Sequence, residues 1–154
     1  MAGIIGTFVI PKLSMTAATA KTVLQVIAPT NQRLKVLEIT VYFDSTSTTP
    51  GSARVRLLRQ TTAGTVTAIS PVAWENELTE SLQATGGSNA SAEPTNAGAG
   101  AVVMDEAVPI TSGFIYPFPQ GQELFVGGGT RLGIEVTTPT GTTINCYGHV
   151  KYEE

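Results

Sequence analysis

Charge is scarce in this chain. Only 14% of its 154 residues are Asp, Glu, Lys or Arg, against about a quarter in an ordinary soluble domain. There is one cysteine, Cys146, one histidine, His149, and one tryptophan, Trp74. A single cysteine excludes an intrachain disulfide, and one cysteine with one histidine falls short of a four-ligand structural zinc site. No metal and no cofactor are expected. Nine basic residues stand against twelve acidic ones, a net charge of -3, so the excess of positive charge that phosphate backbones demand is missing and no nucleic-acid partner is expected. Long apolar runs are missing too. Residues 2–10 are apolar apart from Thr7 but are half the length a bilayer-spanning helix needs, so no membrane partner is expected. The first lysine, Lys12, follows that run instead of preceding it, which is the wrong order for a secretory leader.

What is present is 42% hydrophobic residues and 16 glycines in a chain the length of one domain, enough to bury a core by packing alone. Short β-branched and aromatic runs recur between Pro, Gly, Asn and Thr, and no stretch keeps a 3.6-residue apolar period, so the fold is read as all-β. Residues 1–14 read as an extended arm or first strand ended by Pro11, and residues 15–154 as a single β-sandwich domain. Strands are expected over 22–27 and 34–43, paired across the turn at Pro29, Thr30 and Asn31, with Leu37, Ile39, Val41 and Phe43 on one face. Val55 and Leu57 should face inward, Arg54 and Arg56 outward, with 65–69 returning beside them. Residues 70–100, rich in Ala, Ser, Gly, Asn and Thr around a helical turn at 75–83, read as one long loop reaching a partner or neighbour. Near the end, Pro139, Thr140 and Gly141 separate two alternating runs that read as a hairpin, with Leu132, Ile134 and Val136 facing inward from one, and Ile144, Cys146, Val150 and Tyr152 from the other. Two packed sheets would bury these sets in a jelly-roll-like β-sandwich with an extended N-terminal arm and a long central loop.

Catalytic chemistry finds little support. Cys146 and His149, three apart on a strand, point to opposite faces, so they suit neither a metal site nor a thiol–imidazole pair. A serine triad would need this one histidine and Asp44 or Asp105, and no Gly-x-Ser-x-Gly elbow occurs. Glu75, Glu77 and Glu80 resemble paired carboxylates only in spacing; they sit in a polar segment that reads as solvated. Gly127-Gly128-Gly129-Thr130 lacks the lysine of a phosphate loop and leads into a strand, so it reads as a tight turn. No enzyme is expected. The candidate contact residues are instead the apolar Ile4, Ile5, Phe8 and Ile10 of the arm, which exposed alone would form a patch of the kind that marks interfaces, and Trp74 in the long loop. Removing residues 1–10 is expected to weaken attachment to a partner.

The strand sequences also carry a resemblance. It runs through Lys21-Thr22-Val23-Leu24-Gln25-Val26, Pro29, Asn31, Arg33 and Val36-Leu37-Glu38, then Ala92-Glu93-Pro94-Thr95. It is densest in Phe118-Pro119, Gly121, Glu123, Arg131-Leu132-Gly133-Ile134, Val136 and the terminal Tyr152-Glu153-Glu154. On these residues the chain resembles the head decoration, or auxiliary capsid-stabilising, proteins of tailed bacteriophages. The resemblance carries no catalytic residue. It implies a homotrimer, made in the bacterial host cytoplasm, that sits on the capsid exterior and cements neighbouring major capsid protein subunits. An acidic balance suits the outside of a shell better than its DNA-facing lumen. The alternative is a virion-borne receptor- or carbohydrate-binding module of a tail or fibre, with Trp74, Tyr116, Phe118 and Tyr147 as stacking surfaces.

Overall fold

A computed structural model describes residues 3–16, 18–49, 51–75 and 80–154. The strands are β1 (Ile5–Met15), β2 (Ala20–Ile27), β3 (Leu34–Asp44), β4 (Ser52–Gln60), β5 (Thr65–Ile69), β6 (Val72–Ala73), β7 (Thr85–Ala92), β8 (Val102–Pro109), β9 (Gly113–Pro117), β10 (Leu124–Val126), β11 (Arg131–Thr137) and β12 (Ile144–Glu153). They form two antiparallel six-stranded sheets. The front sheet runs β10-β3-β12-β1-β6, with β9 also pairing β3; the back sheet runs β5-β7-β2-β11-β4-β8. Period-2 alternation turns one apolar face of each sheet toward the other, and one continuous core results. Phe8 and Tyr152 stack at its centre with ring centroids 5.3 Å apart.

The expected inward sets of β11 and β12 are buried, Cys146 among them, but their pairing is corrected. β11 lies in the back sheet between β2 and β4, whereas β12 lies in the front sheet between β1 and β3. The turn at Pro139–Gly141 therefore crosses between sheets. The same correction holds for β2 and β3, which occupy different sheets, and for β5, which pairs β7 and not β4. Alternation tells which residues face inward; it does not tell whether two consecutive strands pair side by side or arch over the core.

Two further expectations change. Leu37 is only half-buried because a bulge there, opposite Lys151 and Tyr152, resets the pleat of β3: Leu34 and Val36 face inward before it, Ile39, Val41 and Phe43 after it. The segment 70–100 is not one loop. It contains β6, β7 and a 3-10 turn at Gly98–Gly100, while part of the helical turn expected at 75–83 lies outside the described residues. β7, with the sequence TGGSNASA, escaped notice because its residues have poor strand propensity. Smallness is what the position requires. A Cβ at Gly86 would come within 2.8 Å of the Phe8 ring, and one at Gly87 within 2.2 Å of Val66 Cγ2, so the strand forms by backbone pairing beneath its neighbours' side chains.

Candidate docking face

The outer face of the front sheet is built by register. Where β1 turns Phe8 and Ile10 inward, Ile5, Thr7 and Val9 project outward, and each heads a row across the sheet. One row holds Ile5, Glu153, Lys35 and Phe125; the next, Thr7, Lys151, Glu38 and Pro117; the third, Val9, His149, Thr40 and Ile115. Tyr147 and Tyr42 follow. Charge thus runs down the middle strands and apolar side chains stand on both sides. On the β1 side Val9 and, beyond it, Val72 and Trp74 are 54%, 62% and 60% exposed; on the other side Ile115 is 54% exposed. Single exposed apolar residues are ordinary, but a set gathered on one sheet face is the mark of a contact surface.

The charged middle is held in place. Lys35 bridges Glu153 at 3.1 Å and Glu123 at 3.3 Å, which raises its ammonium pKa above the ordinary 10.5. Hydrogen bonding to Lys35, then to the Gly3 N–H, holds Glu153 below the usual carboxylate range. Glu123 is held below it chiefly by backbone N–H groups, its own and that of Gly121. His149 Nε2 lies 3.1 Å from Glu38 Oε1, and the Lys151 ammonium sits 3.8 Å from the centre of the Trp74 ring. At the far edge Arg33 covers Phe125 at 4.4 Å. These pairings keep long side chains flat against the sheet, so the apolar flanks stand clear.

Of the contact residues expected from sequence, Phe8 and Ile10 are corrected: both are core residues, 0% and 2% exposed. Removing residues 1–10 would therefore strip the core before it tested attachment. Residues 5–15 are a full strand of the sandwich, so no free arm exists there. Ile4 and Ile5 are half-buried, and Trp74, whose backbone N–H donates to the Ile5 carbonyl at 2.9 Å, is exposed as expected. The structure brings Ile5 and Trp74 to one edge of the face. Val9, Val72 and Ile115 were missed; outward β-branched residues on β1, β6 and β9 were the available signal, and only the register gathers them.

The back sheet's outer face differs. Arg54 grips Asp105 with two hydrogen bonds, one of 2.8 Å, and Arg56 pairs with Glu135, so these outward arginines are matched within the chain. Farther along, Gln25 and Gln60 are buried beneath the connections flanking β5 and β7: Gln25 donates to Gln60 Oε1 at 2.7 Å and to the Thr62 carbonyl at 3.2 Å. Gly133 leaves the room they need, since a Cβ there would come within 2.4 Å of the Gln60 amide.

Candidate chemistry is dispersed. Cys146 is buried in the core, where desolvation pushes its thiol up to about 12, so it holds its proton at neutral pH. His149 is on the opposite face of the same strand, against Glu38. Glu77 lies outside the described residues, and among those described no cluster of three metal-ligating side chains occurs. No helix among them is long and apolar enough to cross a membrane. The glycine run 127–129 makes a tight turn into β11, with Thr130 N–H bonded to the Gly127 carbonyl. No protein-family model, curated protein or solved structure matches the chain.

Proposed function

We propose that this chain is a non-enzymatic structural virion protein that seats its front face on the outer surface of a phage capsid and stabilises the shell by bridging capsid subunits. The observation that carries this reading is the row-built face with exposed Val9, Val72, Trp74 and Ile115 flanking a tethered charged centre. Burying such side chains against another protein gains roughly 25 cal/mol per Å2 of apolar surface. The fixed charges in the middle add orientation more than strength. A jelly-roll assignment fits the strand order: β1-β12-β3-β9 faces β2-β11-β4-β8, and the chain crosses between sheets from β1 to β2, β3 to β4, β8 to β9 and β11 to β12. That order agrees with the resemblance to head decoration proteins, and the resemblance names the shell as the surface.

The carbohydrate-module reading fares worse on geometry. Trp74 sits beyond β1 with Lys151 on its ring, the Tyr116–Phe118 pair lies at the β9 edge on the other side of the sheet, and Tyr147 stands beside Tyr42 in the middle strands, so the four expected rings do not share one stacking platform. The test is co-sedimentation with shells assembled from the major capsid protein. Val9→Ser combined with Ile115→Ser should leave the fold intact and lower affinity at least about tenfold. Unchanged occupancy of the shells by that variant would overturn the proposal.

A further inference from the structure

We infer that the slot between β8 and β9, on the open flank of the sandwich, binds an arginine side chain carried on an extended segment of a different protein. The slot is built by register. In the back sheet Leu57 pairs with Met104, Val55 with Glu106 and Ala53 with Val108, so Met104, Glu106 and Val108 share the inner face of β8 with core residues of β4. In the front sheet Val41 pairs with Phe114 and Ile39 with Tyr116, which sets those two rings on the inner face of β9. β8 pairs only with β4, and β9 only with β3, so each strand has one edge without a neighbour. Between the two lies a hollow of about 300 Å3, with Glu106, Val108 and Pro109 on one wall and Phe114 and Tyr116 on the other.

Glu106 breaks the pattern of its strand. Alternation calls for an apolar residue between Met104 and Val108. The carboxylate that stands there forms no ion pair among the described residues, whereas its neighbour Asp105 is held by Arg54 on the outer face. An inward charge on an edge strand also guards that edge against other strands. Guarding needs only the charge, and requires neither a hollow beside it nor aromatic rings opposite. Tyr116 is 41% exposed although it occupies an inward register position, and Phe118 meets its ring edge-on with centroids 5.0 Å apart, which holds the ring against the slot.

The walls select the occupant. An apolar side chain would strip water from Glu106 and leave its charge unpaired, and an anion would be repelled. A cation on an apolar stem satisfies both walls: the stem lies along Val108 and Phe114, and the charge meets Glu106 and the Tyr116 ring. Arginine suits this better than lysine, because its guanidinium is planar and weakly hydrated, stacks on a ring, and meets a carboxylate with two parallel hydrogen bonds. The hollow is at the small end of the roughly 300–1,000 Å3 of ligand sites, room for one side chain. The open edges of β8 and β9 offer backbone groups to the extended segment that carries it. A second copy of this chain does not supply the arginine. Its own arginines are all held internally, Arg54 by Asp105, Arg56 by Glu135, Arg59 and Arg131 by backbone carbonyls, and Arg33 against the Phe125 ring.

This inference is independent of what covers the front face, and its test needs no shells. The probe is a blocked peptide, acetyl-Thr-Val-Arg-Val-Thr-amide, titrated into the isotope-labelled chain and followed through backbone amide shifts by NMR. The shifts should saturate and centre on residues 104–109 and 113–117. Replacing the peptide arginine by citrulline, its uncharged counterpart, should weaken binding at least about tenfold, lysine should weaken it about threefold, and added salt should weaken the arginine peptide. Glu106→Gln, at an exposed side chain, should keep the fold by circular dichroism and bind at least about tenfold more weakly; Tyr116→Leu should lose about threefold. No saturable shift up to about 10 mM peptide, a citrulline or lysine peptide that binds as well as the arginine one, undiminished binding by Glu106→Gln, or shifts centred on the front-face rows would each overturn the inference.

Discussion

The two outer faces of the sandwich solve the same problem in opposite ways. On the back sheet the chain covers itself: the connections around β5 and β7 fold over Gln25, Gln60 and Gly133, Arg59 and Arg131 beside them bond backbone carbonyls of the same chain, and Arg54 and Arg56 bond its acids. On the front sheet the charges are also paired, yet Val9, Val72, Trp74 and Ile115 remain exposed. A surface that closes on its own polar groups costs stability when broken. A surface left open to apolar contact costs little in the free protein and matters when a partner arrives.

The sharpest way to break the comparison is at the buried amides. Gln60→Ala should destabilise the fold by about 2–3 kcal/mol, because Gln25 would lose its 2.7 Å partner inside a covered site; thermal or urea unfolding reads this directly. Acid should act next. Asp105, Glu123 and Glu153 all have carboxyl pKa values depressed below their ordinary 3.8 or 4.5. The folded state therefore binds these protons more weakly than the unfolded one, and the stability they contribute is fully present above pH 4.5 and lost as pH falls through the depressed values. The melting temperature should drop below pH 4.5 and high salt should shrink the effect, since Asp105 and Glu153 are solvent-accessible; a melting temperature flat down to pH 3 would contradict the pairing. The smallest effect belongs to the open face. Ile115→Ser should change stability by about 0.5 kcal/mol or less, a value that separates a docking residue from a core residue such as Phe8, whose replacement by Ala should cost about 3–5 kcal/mol.

Much of the fold was legible because alternation is a local property. The inward sets Val55 and Leu57, Leu132, Ile134 and Val136, and Ile144, Cys146, Val150 and Tyr152 could be read from spacing alone. The misreadings share one cause. Period-2 patterns leave the partner strand unspecified, so β2 with β3 and β11 with β12 look like hairpins although each pair spans the two sheets. β7 was hidden because its glycines serve neighbours distant in sequence, Phe8 and Val66.

The candidate site was less legible than the fold. Exposed Trp74 and half-buried Ile5 were within reach of sequence reasoning as apolar residues of the face, but Phe8 and Ile10 could not be told from Val9, since which half of an alternating strand meets the core depends on what it packs against.

By itself the sequence determined the all-β class and most of the inward sets, because strand propensity and alternation are fixed before the chain folds. Only the tertiary structure decided which strands share a sheet, that the amino-terminal run is a core strand, and that Glu106 faces the slot between β8 and β9. Those facts depend on pairings between residues far apart in the chain, where burial of a whole sheet face, and not local preference, selects the arrangement.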